Sequence, residues 1–463
     1  MSVPAHTADP TGRSDELVRR LLALIDRALP YLGPALALAL GLAGVGRRSL
    51  DVDEAAALAA AHGSFSDVVE RALSDDPARA GYLALLQPVA SWNDAEAWLR
   101  LPSVLAVVVA AIATYRLGRR LAGRHAGAAA SLVLAASVGV VGISQSVGPL
   151  GLALAAMMLS SALFARAVER GNAVWWAVYA VSAALLPLTH PVAASALVAH
   201  LAAIAVARRE IDLRLALPAA AVAVVESGLF LTAAVIDRGA ADDGAGPLEL
   251  VDLAVGLGRS LGWSAVLAGL AAWGVLLLHR RSSAGQGRWK PILVGGLALA
   301  PLAAVLVAGV ALPVYPRSAL TVCGGGIALA AGIGLVGIPD RTLRLATGGA
   351  LAAVAVAVLT LDVVREAPED WRAATAVVRR QSTPHSTVVV LPERARPALA
   401  YYAPELRLAR AGRGDAVSVV VVGDPDEATQ AARTVVSPPR YALLSQDGAG
   451  SRLVVQHWVR PGA

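Results

Sequence analysis

Apolar stretches of about 17 to 22 residues recur along most of this chain, and a bilayer core needs about 20 such residues at 1.5 Å rise each. That recurrence restricts the fold more than any motif does. With 56% hydrophobic residues among 463, the chain carries more apolar surface than one soluble core can bury. Lipid must therefore serve as part of its solvent. Roughly eleven spans are expected, over 28–46, 99–115, 126–143, 149–165, 173–189, 191–207, 215–236, 262–278, 291–311, 318–338 and 345–363.

Charge sorts the connections between these spans into two sets. One carries Arg19, Arg20 and Arg27; Arg116, Arg119, Arg120 and Arg124; Arg166 and Arg170; Arg208, Arg209 and Arg214; Arg280, Arg281, Arg288 and Lys290; and Arg341 and Arg344. The other carries Asp51, Asp53, Glu54, Asp75, Asp76, Asp94 and Glu96, and later Asp237, Asp242, Asp243, Glu249 and Asp252. Arginine and lysine stay on the cytoplasmic side of short loops, so the first set is inside and the amino terminus is cytoplasmic. An odd number of spans then puts residues 364–463 outside, with the acidic loop 47–98. Topology and attraction to the membrane surface account for the net charge of +6, so nucleic acid is not inferred as a partner.

The expected architecture is a mainly α, polytopic transmembrane bundle over 28–363 with a small extracytoplasmic α/β domain over 364–463. Residues 1–27 lack an apolar core followed by a cleavage site, and Leu17–Leu29 reads as an amphipathic helix on the inner surface, so no cleavage is expected. Loop 47–98 is too long for a turn and should form short helices over 54–61, 66–73 and 80–86, the second opened by Ser66. In the final domain, a helix over 369–380 and strands over 387–391, 417–422, 441–444 and 453–459 are expected. Cys323, the single cysteine, has no intramolecular partner and lies in a span beside Gly324, Gly325 and Gly326. Those glycines read as close helix contacts, since no lysine follows to make a phosphate loop.

The segment Arg48-Ser-Leu-Asp-Val-Asp-Glu-Ala places Asp51, Asp53 and Glu54 where the first span meets water. Charge at that depth is expensive and is not needed to make a helix span, so the cluster points to chemistry. Its structural alternative is an N-cap with first-turn acids for the helix beginning near Ala55. Asp51 and Asp53 also offer alternating hard oxygen ligands for a divalent cation.

The order of motifs resembles the polytopic GT-C glycosyltransferases, in the branch of protein mannosyltransferases and lipid A aminoarabinose transferases. It is carried by Asp53-Glu54 after the first span, Asp76-Pro77 running through Tyr82 to Leu86, Arg100-Leu101-Pro102-Ser103, Ser144-Gln145, Thr189-His190, Tyr315-Pro316-Arg317 and Asp370-Trp371-Arg372. Gly148 and Leu150 stand where the family pattern has arginine and tyrosine, Asp76 replaces a histidine, and Ser318 a tyrosine.

The resemblance implies transfer of a mannose- or arabinose-like sugar from a polyprenyl-phosphate donor to an envelope glycan, lipid or protein outside the cytoplasmic membrane. Such a reaction needs a base near the acceptor hydroxyl and positive charge near the departing phosphate. Asp53 is the expected base, with Glu54 orienting the acceptor or holding the loop. Arg79, Arg100 and Arg317 are the expected phosphate side, and Asp51, Asp76, Gln145 and His190 complete the expected substrate contacts. The alternative reading is a catalytically degenerate relative that acts as a partner-binding or scaffold subunit in envelope assembly.

Overall fold

The computed structural model describes residues 10–75, 77–238, 258, 265–282, 287–311, 317–364, 369–382, 386–410, 416–423, 427–436 and 440–460. The first described element is one long helix, α1 (Pro10–Leu42). The expected amphipathic segment and first span are thus continuous, and the span ends four residues earlier than expected. Its end opens into turns at Ala43–Arg48, where Gly44 takes φ +79°.

Loop 47–98 folds into helices, α2 (Val52–Ala60), α3 (Phe65–Asp75) and α4 (Ala80–Trp92), with a 3-10 turn at Pro77–Arg79 between the last two. The α2 boundary is set by a capping box: the Asp51 carboxylate accepts the Glu54 N–H at 2.8 Å while Glu54 accepts the Asp51 N–H at 3.1 Å. The helix therefore starts three residues before Ala55 and absorbs the acidic cluster. For α3 the hydroxyl that accepts a first-turn N–H, that of Asp67, is Ser64 rather than Ser66.

The bundle continues with α5 (Glu96–Ala122), α6 (Arg124–Ala135), α7 (Val138–Ser144), α8 (Leu150–Arg170), α9 (Ala173–Ala184), α10 (Leu186–Thr189), α11 (Pro191–Ala194), α12 (Ala196–Val206) and α13 (Leu213–Arg238). Expected uniform spans are broken in three places. The stretch 126–143 bends by 65° between α6 and α7. The stretch 173–189 is interrupted at Leu185 and the stretch 191–207 at Ser195, with Pro187 and Pro191 in the first turns of α10 and α11, where the ring fits a helix best. Among the described residues five helices are long and apolar enough to cross a bilayer, or six if the bent pair is one span. These give a multi-pass membrane protein, and the expected count of eleven is not obtained from them.

Glycine determines how the bundle closes. The helix Gly324–Val336 runs through its centre, and the helix Arg341–Val364 lies on its outside with no buried positions in its apolar window. A methyl group at Gly326 would overlap the backbone of Leu297, one at Gly332 that of Ala130, and one at Gly334 that of Leu270. Close approach of this kind is how helices associate where lipid removes the hydrophobic drive between them. His200 is likewise internal: it meets the Ser161 hydroxyl at 3.0 Å and the Tyr179 hydroxyl at 3.1 Å and stacks on Phe164.

The carboxyl-terminal domain holds a five-stranded mixed sheet in the order β2 (Leu408–Ala409), β1 (Ser386–Leu391), β3 (Ala416–Val422), β5 (Leu453–Val459), β4 (Ala442–Gly448). The two-residue β2 carries no sequence signal and was not expected. β1 and β3 are parallel, and β3 and β5 antiparallel. One face of the sheet covers a small helix, Ala428–Arg433, through Val417, Val419, Val421 and Trp458. The other face, through Val388, Val390, Val420 and Val455, shares a continuous apolar core with Leu50, Val68, Tyr82 and Leu86 of the first loop. Domain and loop are therefore one packed unit.

Replacing Gly326 by valine should force the central helix away from the 289–311 helix. The expected cost is about 1–3 kcal/mol, read as a lower thermal midpoint of the detergent-purified protein.

Candidate active site

The site begins with a buried ion pair. Arg100, near the start of α5, donates from Nε and Nη2 to the two carboxylate oxygens of Glu54 at 2.9 and 2.6 Å. Its remaining N–H groups reach the carbonyls of Val45, Arg48 and Ser49 at 2.7, 2.9 and 3.1 Å. All five donors of the guanidinium are thereby used. Glu54 also accepts the Val147 N–H at 2.7 Å. Both side chains are buried, Arg100 at 3% and Glu54 at 4% exposure. A lysine has no planar fork to make these bonds together. The geometry gives Arg100 the task of fixing the loop, and no N–H remains for a phosphate.

A second layer holds the carboxyl-terminal domain onto that loop. Ser49 donates to the Glu369 carbonyl at 3.0 Å and accepts the Trp371 N–H at 3.1 Å, and Glu369 accepts the Val52 N–H at 3.2 Å and the Trp371 indole at 3.0 Å. Arg372 pairs with Glu96 and donates to the Arg47 and Gly46 carbonyls. Tyr402 accepts the Leu50 N–H at 2.7 Å and donates to Glu96. Burial pushes the Tyr402 phenol up to about 12, so it stays a donor at neutral pH. Trp371, Tyr401 and Tyr402 thus tie domain to loop.

Between these layers lies a polar cavity of about 400 Å³. Asp51, Asp53, Glu54, Arg100 and Gln145 line it, so the structure brings five of the expected residues together. Gln145 anchors the wall by donating to the Leu40 and Ala43 carbonyls at 2.7 and 2.9 Å. Asp53 is exposed to the cavity, and among the described residues its carboxylate makes no hydrogen bond or ion pair. Asp51 is open to the cavity but walled by protein on most sides. That desolvation, with the nearby charges of Glu54 and then Asp53, outweighs the Glu54 N–H bond and raises its carboxyl from 3.8 to about 7.

The remaining expected residues lie elsewhere. Arg79 sits half-buried on the Pro77–Arg79 turn, and His190 is buried between α10 and α11, where its Nδ1 accepts the Val192 N–H at 3.2 Å. Neither lines the cavity. Arg317 begins the 3-10 helix Arg317–Cys323, which packs against α7 and α8. Asp76, Tyr315 and Pro316 fall outside the described residues. Sequence reasoning missed Arg48, Glu369, Arg394 and Arg452, which also line the cavity. Arg48 and Glu369 adjoin recognised motifs and could have been found; Arg394 and Arg452 have no local signal. Among the described residues no group of three or more His, Cys, Asp or Glu is placed to hold a metal ion.

A glycine-packed apolar bundle, a capped acidic cluster after the first helix and an α/β domain packed over it are thus the parts of the fold that surround the cavity. Residues 83–236 match the family model described as dolichyl-phosphate-mannose-protein mannosyltransferase. ArnT from Cupriavidus metallidurans in the apo state is similar over 92% of this chain and 97% of its own, at 14% identity and TM-score 0.58. The same enzyme bound to undecaprenyl phosphate gives TM-score 0.55 over the same spans, also at 14% identity. The archaeal oligosaccharyltransferase AglB from Archaeoglobus fulgidus, in complex with an inhibitory peptide and a dolichol-phosphate, is similar over 91% of this chain and 74% of its own, at 10% identity and TM-score 0.53. No curated protein sequence matches the chain.

Arg100→Ala should leave the Glu54 carboxylate buried without its cation and cost about 3–5 kcal/mol; the measurement is thermal unfolding of purified protein, and an unchanged midpoint would refute the anchoring role. A second expectation concerns pH. Because the Asp51 carboxyl is raised in the folded chain, the folded state binds this proton more tightly than the unfolded one, and its stability contribution is lost as pH climbs from about 4 to about 7. Asp51→Asn keeps a capping side chain. Its thermal midpoint should therefore rise relative to wild type across that window and stay level above it.

Proposed function

We propose that this protein is an integral membrane glycosyltransferase that moves a mannose- or arabinose-like sugar from a polyprenyl-phosphate donor to an envelope acceptor outside the cytoplasmic membrane. The observation that carries the reading is that a polar cavity and an apolar groove are lined from opposite ends of the same two helices, α1 and α7. Residues at the carboxyl end of α7 and just beyond it, Gly142, Gln145 and Ser146, line the cavity, and Val138 at its amino end lines a groove of about 370 Å³. Along α1 the same transition runs from Leu36 in the groove to Gly44 and Val45 in the cavity. A seven-residue helix spans about 10 Å, so one amphiphile with a charged head and an isoprenoid tail fits both. The resemblance in fold to ArnT, solved with undecaprenyl phosphate, and to AglB, solved with a dolichol-phosphate, supports the same ligand class.

The reaction is a single displacement at the sugar's anomeric carbon. The acceptor oxygen forms the new glycosidic bond, its proton passes to Asp53, and the bond to the phosphate oxygen breaks with its electron pair leaving on the polyprenyl phosphate. Inversion follows from attack opposite the leaving group. Asp53 suits the base because it alone of the three clustered acids is committed to no other bond among the described residues. Glu54 acts at one remove, by holding the α2 amino terminus in place. Arg317 keeps a proposed role toward the phosphate, since its helix packs on α7, the element shared by cavity and groove.

Asp53→Asn should reduce transfer of radiolabelled sugar from polyprenyl-phosphate donors by about 10²–10⁴-fold, with membrane abundance unchanged. Turnover at the wild-type rate in that variant would remove Asp53 from the mechanism. Absence of transfer from every donor by folded wild-type protein would favour the scaffold reading instead.

A further inference from the structure

Two arginines that reach the cavity come from the carboxyl-terminal domain, and the sheet explains why they meet. β1 ends at Leu391, paired with Val421 of β3, and β3 ends at Val422, paired with Leu453, the first residue of β5. The carboxyl ends of the two parallel strands and the start of β5 therefore lie along one sheet edge. Arg394 follows β1 by three residues and Arg452 immediately precedes β5. The Arg452 carbonyl accepts the Gly423 N–H at 2.9 Å, which pins this turn to the end of β3. In open α/β sheets the carboxyl edge of parallel strands is where ligands bind. Here that edge faces the cavity over Asp51 and Asp53, with Pro392 and Val422 beside the arginines.

Both guanidinium groups are exposed, and among the described residues neither makes a hydrogen bond or ion pair, although Asp51, Asp53 and Glu369 line the same space. A phosphate entering a cavity with three such carboxylates needs cations to offset them, and the Arg100 charge is consumed by Glu54. A guanidinium fork matches phosphate oxygens with two parallel donors.

We propose that Arg394 and Arg452 form a phosphate-binding pair that the carboxyl-terminal domain lends to the membrane-embedded site, and that their ligand is the phosphate of the lipid-linked donor. The donor site is then composite, completed only when the sheet edge is docked on the first loop. This rests on the reading of the cavity as a donor site.

The test titrates the purified full-length chain with undecaprenyl phosphate, with undecaprenol as the tail without its charge and inorganic phosphate as the charge without its tail, by native mass spectrometry. Arg394→Ala and Arg452→Ala should each weaken undecaprenyl phosphate binding by about tenfold, as expected for one charge-assisted contact, and the double variant by more. Undecaprenol binding and the thermal midpoint should not move, and Arg433→Ala, on the far face of the sheet, should bind as wild type. Arg394→Lys should restore part of the loss. Wild-type affinity in the double variant would overturn the pair while leaving the donor site intact. No undecaprenyl phosphate binding by folded wild type would overturn both. Arginine-dependent binding of inorganic phosphate alone would reassign the pair to a soluble ligand and overturn the donor assignment.

Discussion

The Arg100–Glu54 pair is the contact on which the rest of the site depends. Two opposite charges buried at 3% and 4% exposure repay their desolvation only when every remaining donor and acceptor is satisfied. Here the guanidinium gathers three carbonyls from the turn after α1, and the carboxylate gathers N–H groups from the start of α2 and from Val147 after α7. One ion pair therefore fixes three chain segments that are far apart in sequence. Those segments form one wall of the cavity, and the carboxyl-terminal domain forms the other.

A small domain on a flexible tether could not hold side chains over such a cavity with useful precision. Here the tether is replaced by a shared core, in which Leu50, Tyr82 and Leu86 pack with Trp371, Val388 and Val455. Polar contacts then set the register of the two parts: Ser49 with Glu369 and Trp371, Tyr402 with Leu50 and Glu96, Arg372 with Glu96. The sheet edge bearing Arg394 and Arg452 is thus positioned by the loop that bears Asp53. Apolar burial supplies the adhesion and the hydrogen bonds supply the alignment.

Much of this was legible in the chain, for reasons that are local. Apolar run length identified the membrane class, the acidic cluster after the first helix identified one wall of the site, and contiguous runs of valine identified β1 and β3. The breaks at Ser137, Leu185 and Ser195 were harder, because hydropathy is continuous across them and only backbone constraint reveals the bend. Arg100 was found as a residue but given the wrong partner, since a sequence shows a cation near the membrane edge without the carboxylate 46 positions earlier that claims it. Arg394 and Arg452 were invisible because their proximity is created by strand pairing over about 60 residues of chain. No periodicity records a contact of that kind.

The acidic cluster also explains how three carboxylates in four positions acquire three different roles. Asp51 is the N-cap of α2, so its side chain folds back over the helix start, and Glu54 at the third helical position reaches back to the Asp51 N–H. Residues one position apart on a helix point about 100° away from each other. Turning Glu54 inward to Arg100 therefore turns Asp53 away from the core and into the cavity, where its oxygens meet no protein partner among the described residues. Asp51, enclosed beside two neighbouring negative charges, keeps its proton to about 7, so at neutral pH it adds only part of a charge to a cavity that must admit a phosphate. Helix geometry thus does the sorting: one acid caps, one anchors, and the one left facing the cavity is available to accept a proton.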